Sequence, residues 1–103
     1  MTTTIIPDAE ATDDEALASI ERTHRPSWAT SEGEYNDETI YYKRWMTHGT
    51  VCIDQFLNRH PLDWRFDHPA DINIREDEGV MPDRARLIIA DIAEAVAILE
   101  AAA

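Results

Sequence analysis

Four histidines, one cysteine, three serines and 21 carboxylates are the side chains through which this 103-residue chain could do covalent or metal chemistry. A zinc site needs three or four ligands converging tetrahedrally, and they usually come in closely spaced pairs. His24, His48, His60 and His68 are instead 24, 12 and 8 residues apart, with no Cys-x-x-Cys or His-x-x-x-His, so no metal or other cofactor is expected. Nucleophilic catalysis needs a thiol or hydroxyl beside a base that a third group orients. Cys52 falls inside a strand-like run, and Ser19, Ser27 and Ser31 stand in no nucleophile-elbow context. Carboxylate pairs are frequent only because acids are, and Gly33, Gly49 and Gly79 are too scattered for a phosphate loop. The expectation is a protein that is not an enzyme; a small enzyme or metal-binding domain ranks third among the readings.

Binding chemistry is more promising. Acids outnumber bases 21 to 9, for a formal charge of −12, and the first 38 residues hold ten acids against Arg22 and Arg25. Direct binding to nucleic acid is disfavoured, since phosphate neutralisation dominates that affinity. A basic partner is one reading of this charge, with Asp13, Asp14, Glu32 and Glu34 as steering charges; the other and plainer reading is that acidity keeps the protein soluble. Trp28, Tyr41 and Trp45, with Lys43, are the candidate anchors of a protein-binding surface.

The elements that must position these residues follow from patterning. One cysteine allows no internal disulfide, the N-terminus is no secretory signal, and acids interrupt the apolar stretch 87–103, so a reducing cytoplasm and no membrane contact are expected. Residues 1–11 read as a leader and 12–103 as one domain. Thr12-Asp13-Asp14-Glu15 reads as a capping box opening a short helix over about 13–23, stopped by Arg25-Pro26. Residues 26–37 read as a loop in which Trp28 lids the core. Residues 38–46 and 51–57 alternate as two strands of a hairpin, with Gly49 at a positive-φ position of the turn. Leu62, Trp64 and Phe66 suggest a short strand that His68-Pro69 interrupts, and 71–75 another, followed by a turn at 76–79. Pro82 opens a long amphipathic helix whose stripe is Leu87, Ile88, Ile92, Ala95, Val96 and Leu99, with Asp91 elsewhere.

Two readings of the hairpin remain. Either the loop with Trp28 covers the face of Tyr41, Lys43 and Trp45, or that face, with Arg65, is a free aromatic and cationic patch while the C-terminal helix covers Ile40, Tyr42, Met46, Ile53 and Ile74.

From Pro26-Ser27-Trp28 onward, about three quarters of the chain, the layout resembles small α+β proteins of actinobacteria and their phages. These share a proline-x-tryptophan opening, a strand meander and an alanine-rich final helix like Arg84-Ala85-Arg86-Leu87. Eight arginines to one lysine suit a GC-rich coding source. Such proteins often place cysteine and histidine after the tryptophan; Ala29 follows it here. The resemblance implies an α+β fold and a phage or mobile-element origin, and no activity.

The expected architecture is therefore α+β: a short N-terminal helix, an antiparallel meander of three or four strands, and a long C-terminal helix packed on one sheet face. The expected function is an acidic, non-enzymatic interaction protein that binds and modulates another protein, basic or nucleic-acid-binding. The alternative is a structural homo-oligomer, a homodimer in its simplest form.

Overall fold

A computed structural model describes residues 9–75 and 79–103, with side chains from Glu15 onward. Residues 1–8 of the expected leader, and Glu76, Asp77 and Glu78 of the expected turn, lie outside the described residues. The elements run α1 (Ala9–His24), β1 (Glu34–Asn36), β2 (Thr39–Trp45), β3 (Val51–Arg59), β4 (Trp64–Phe66), β5 (Asp71–Ile74) and α2 (Pro82–Ala102). This is the α+β arrangement the patterning predicts, with five strands in one antiparallel sheet.

Helix α1 begins at Ala9, so Thr12 lies inside it and does not cap it. A further departure is β1, in a stretch read as loop. Its three residues are all exposed and pair only with the start of β2, so they carry no apolar alternation to betray them. Asp37, in the β1–β2 turn, holds φ at +39°, a left-handed conformation that aspartate tolerates better than most residues.

Strand β3 is the centre of the sheet. One edge pairs with β2 from Cys52 to Asn58; the other pairs first with β4 and then, nearer the start of β3, with β5. The strands β4 and β5 thus form one broken strand. Pro69 has no N–H to give the ladder, and the Gln55 Nε2 donates to the His68 carbonyl at 2.9 Å across the gap. The β2–β3 turn closes with Met46 N–H donating to Val51 O and Gly49 N–H donating to Met46 O, at 2.8 and 3.1 Å. Gly49 sits at φ +83°, as the turn demands.

Alternation along β2 and β3 sends Ile40, Tyr42, Met46, Val51, Ile53 and Leu57 to one face, where all are buried with Trp28, Ile88 and Ala95. Each large aliphatic side chain there contributes about 1.5–3 kcal/mol by leaving water. Leu17 and Ile20 of α1 pack on the same cluster, as do Ile92, Ile98 and Leu99 of α2. Both helices therefore cover one face and the other is left without a helix. Helix α2 opens with Pro82 at its first positions and Asp83 in its first turn. Its buried stripe is rotated from the predicted one: Ile88, Asp91 and Ala95 turn inward, while Leu87 and Val96 remain 38% and 39% exposed. Ile74 lies on the helix side but stays half-exposed.

Three carboxylates fasten helices to sheet. Glu21 of α1 accepts the Gly33 N–H at 2.6 Å and the Tyr42 hydroxyl at 2.9 Å. Asp91 of α2, 1% exposed, accepts the His48 N–H at 2.9 Å and pairs with its Nδ1 at 2.7 Å. Three residues on, Glu94 accepts the Thr47 N–H at 3.0 Å. One turn of α2 thus holds two amides of the β2–β3 turn.

Candidate interaction surface

The open face is built by the same alternation. Tyr41, Lys43 and Trp45 point away from the helices, and the register sets them beside Phe56, Asp54 and Cys52 of β3. Tyr41 and Phe56 stack at 4.7 Å with an interplanar angle of 21°. The Lys43 ammonium lies 5.2 Å from the Tyr41 ring centroid and 5.4 Å from that of Trp45. Trp45 is 47% exposed and Phe56 52%, so a large aromatic side chain meets solvent at each end of the row Phe56, Tyr41, Lys43 and Trp45.

A polar network braces the aromatics from below. Asp54, 6% exposed, accepts the Tyr41 hydroxyl at 2.9 Å, the Asn73 amide at 2.7 Å and the Arg75 guanidinium at 3.1 Å. Burial first, and the hydrogen bond to Asp54 second, push the Tyr41 phenol up to about 12. It stays a neutral donor throughout the physiological range. Arg75 stands against Cys52, Tyr41 and Asp54, contacts that hold its proton more tightly than usual. Cys52 itself is fully buried.

At the β1 end the surface turns acidic. Glu34 pairs in register with Tyr41, and a shallow groove of about 260 Å³ runs between Glu34, Asn36, Thr39, Tyr41, Phe56 and Tyr35. Glu34, Asp37 and Glu38 are exposed and carry no ion pair among the described residues. At the same end of the sheet, across β3, Asn58 and His60 donate to Asp67 at 2.8 and 3.0 Å, and Arg65 joins His60 at 3.2 Å. These bonds, that from Asn58 foremost, hold the Asp67 carboxyl below the usual range.

The sequence-predicted residues therefore separate. Tyr41, Lys43 and Trp45 come together, with Glu34 adjoining. Trp28 does not join them: it is 5% exposed in the core on the helix side, its carbonyl accepting from Arg44 at 3.1 Å. The loop carrying Trp28 consequently leaves the Tyr41 face uncovered, against the first reading of the hairpin. Trp64 and Phe66 also lie on the helix side, tilted against Tyr35 and Tyr42. Glu32 is exposed beside a second groove of about 720 Å³ between α1 and the 25–33 loop, floored by Leu17, Ala29 and Ile40. Asp13 and Asp14 belong to α1, but their side chains lie outside the described residues. Sequence reasoning missed Phe56 and the Asp54–Asn73–Arg75 brace. Phe56 was discoverable, since it alternates with Ile53 and Leu57 opposite Tyr41; the brace depends on β5 returning to β3.

The histidines find structural partners. His48 pairs with Asp91 and His60 with Asp67, imidazole–carboxylate pairs that could orient a base, but neither is hydrogen-bonded to Cys52 or to any serine among the described residues. No group of three or more histidine, cysteine or acidic side chains suited to a metal occurs among the described residues. Among them, too, no helix is long and apolar enough to cross a membrane. Comparison with protein-family models, curated proteins and solved structures gives no match for this chain.

Proposed function

We propose that this chain is a non-enzymatic interaction protein that binds and modulates another protein through the open face of its sheet. The observation that carries the reading is the stack of Tyr41 on half-exposed Phe56, with half-exposed Trp45 further along the strand and a rim of acids that carry no ion pair among the described residues. Aromatic side chains already fixed by stacking and by the Asp54 brace lose little entropy when a partner covers them, which is how a few residues come to dominate an interface. Of the two cations of the patch, Arg75 is paired with Asp54, and Lys43 lies against neutral rings and keeps its charge. Glu34, Asp37 and Glu38 outnumber it, and that balance favours a basic partner, of the kind that itself binds nucleic acid. Charge at the rim steers encounter and the aromatic floor holds the complex. An origin in a phage or mobile element accompanies this reading as what the resemblance from Pro26-Ser27-Trp28 onward implies.

The test is affinity capture from a lysate with three baits, wild type, Phe56→Ser and Glu34→Lys, at low and moderate salt. A basic protein retained by wild type, lost with either variant and weakened by salt is the expected result. Recovery of the bait alone, or capture indifferent to both substitutions, overturns the reading.

A further inference from the structure

Helix α2, with its C-cap Ala103, carries a second apolar seam that shares only Ile92 and Leu99 with the core. Ala85, Ile89, Ile92, Val96, Leu99 and Ala103 recur at alternating spacings of four and three, the period of helices that pack side by side along their length. Ile92 and Leu99 sit at the margin of the core, whereas Ile89 is 65% and Val96 39% exposed. The seam is flanked on its solvent side by Arg86, Ala93 and Glu100, all exposed. Small Ala93 lets a neighbouring backbone approach closely.

From this pattern we infer that α2 pairs antiparallel with α2 of a second copy of the chain. Charge complementarity selects both the occupant and its direction. With Ile92 set against Val96 of the second copy, Ile89 meets its Leu99 and Ala85 its Ala103, so every layer of one helix finds an apolar layer of the other. In that register Arg86 falls opposite Glu100 of the second copy, and by two-fold symmetry Glu100 falls opposite its Arg86. A parallel pairing sets Arg86 near Arg86 and forfeits both contacts. Arg86 now donates one N–H to the exposed Asp83 at 2.6 Å, which leaves its other donors for a second carboxylate. The seam is separate from the open sheet face, so a dimer would present two such faces.

Sedimentation velocity over a concentration series on the full chain tests the pairing. The mass is expected to rise from 11.7 kDa toward twice that value. Ile89→Lys should abolish the rise. Arg86→Glu, or Glu100→Arg, turns two attractions into two repulsions and should weaken the dimer about tenfold. The double reversal, Arg86→Glu with Glu100→Arg, should restore it, since the complementary pair is rebuilt with opposite sign. All these positions are exposed, and unchanged circular dichroism and melting temperature verify that the fold survives. A mass of 11.7 kDa at every concentration, a dimer that ignores Ile89→Lys, or a double reversal that fails to restore association overturns the inference. A dimer broken by Phe56→Ser but not by Ile89→Lys would place self-association on the sheet face instead, and overturns it equally.

Discussion

At the scale of single residues, the costliest groups in this protein are carboxylates taken out of water, and each is held by donors. Asp91 has the least exposure of the three that brace elements, and it accepts from both the backbone and the ring of His48. Asp91→Ala leaves the turn amide without its acceptor and opens a hole against the sheet. It should cost roughly 3 kcal/mol, read as a lower denaturant midpoint at unchanged slope. Tyr41 gives a pH signature. Its phenol titrates near 12 in the folded chain against 10.0 for a free tyrosine, so the folded state favours the protonated form. That contribution is complete below pH 10 and is lost as pH climbs through about 12. Tyr42, shifted the same way by burial and by Glu21, adds to it. Tyr41→Phe should flatten the alkaline limb of the stability profile, measured by chemical denaturation at stepped pH.

At the scale of elements, the joint between α1 and the sheet depends on a glycine that has no left-handed φ to excuse it. A Cβ at Gly33 would overlap the Ile40 Cγ2 and crowd the Tyr42 ring, while the same residue's N–H feeds Glu21. Gly33→Ala should therefore destabilise by about 1–3 kcal/mol and loosen α1, visible as faster amide exchange along 15–24. The contrast with what patterning reveals is instructive. Residues 40–46 and 51–57 alternate strongly enough to define two strands and their two faces, and Pro82 with the aliphatic repeat defines α2. Those faces both carry aromatics, however, so alternation alone does not say which one the helices take. Asp91 looked like a solvent residue of α2 because its partner is a turn 43 positions earlier. Trp28 reads both as a lid on the core and as an anchor, because a loop tryptophan without periodicity carries no sign of its side; its burial agrees with the lid. Glu21 and Gly33 were illegible for the same reason: their roles exist only once α1, β1 and β2 are brought together.

At the scale of the whole molecule, the protein is a two-layer α+β sandwich whose sheet is covered on one side only. The covered side holds the aliphatic core, and the other is roofed over a buried aspartate by Tyr41, Phe56, Lys43 and Trp45. An open sheet face is kept soluble most simply by polar side chains, as antiparallel sheets commonly are. Here half-exposed aromatics occupy it instead, bordered by acids, and that combination is the ground for reading it as a surface for another protein. The most direct test maps amide resonance changes on the isotopically labelled chain as a captured partner is titrated in. Perturbations concentrated at 34–45, 52–56 and 73–75, with α2 unaffected, are the predicted result. Changes centred on α1 or α2 with the open face silent would contradict the account.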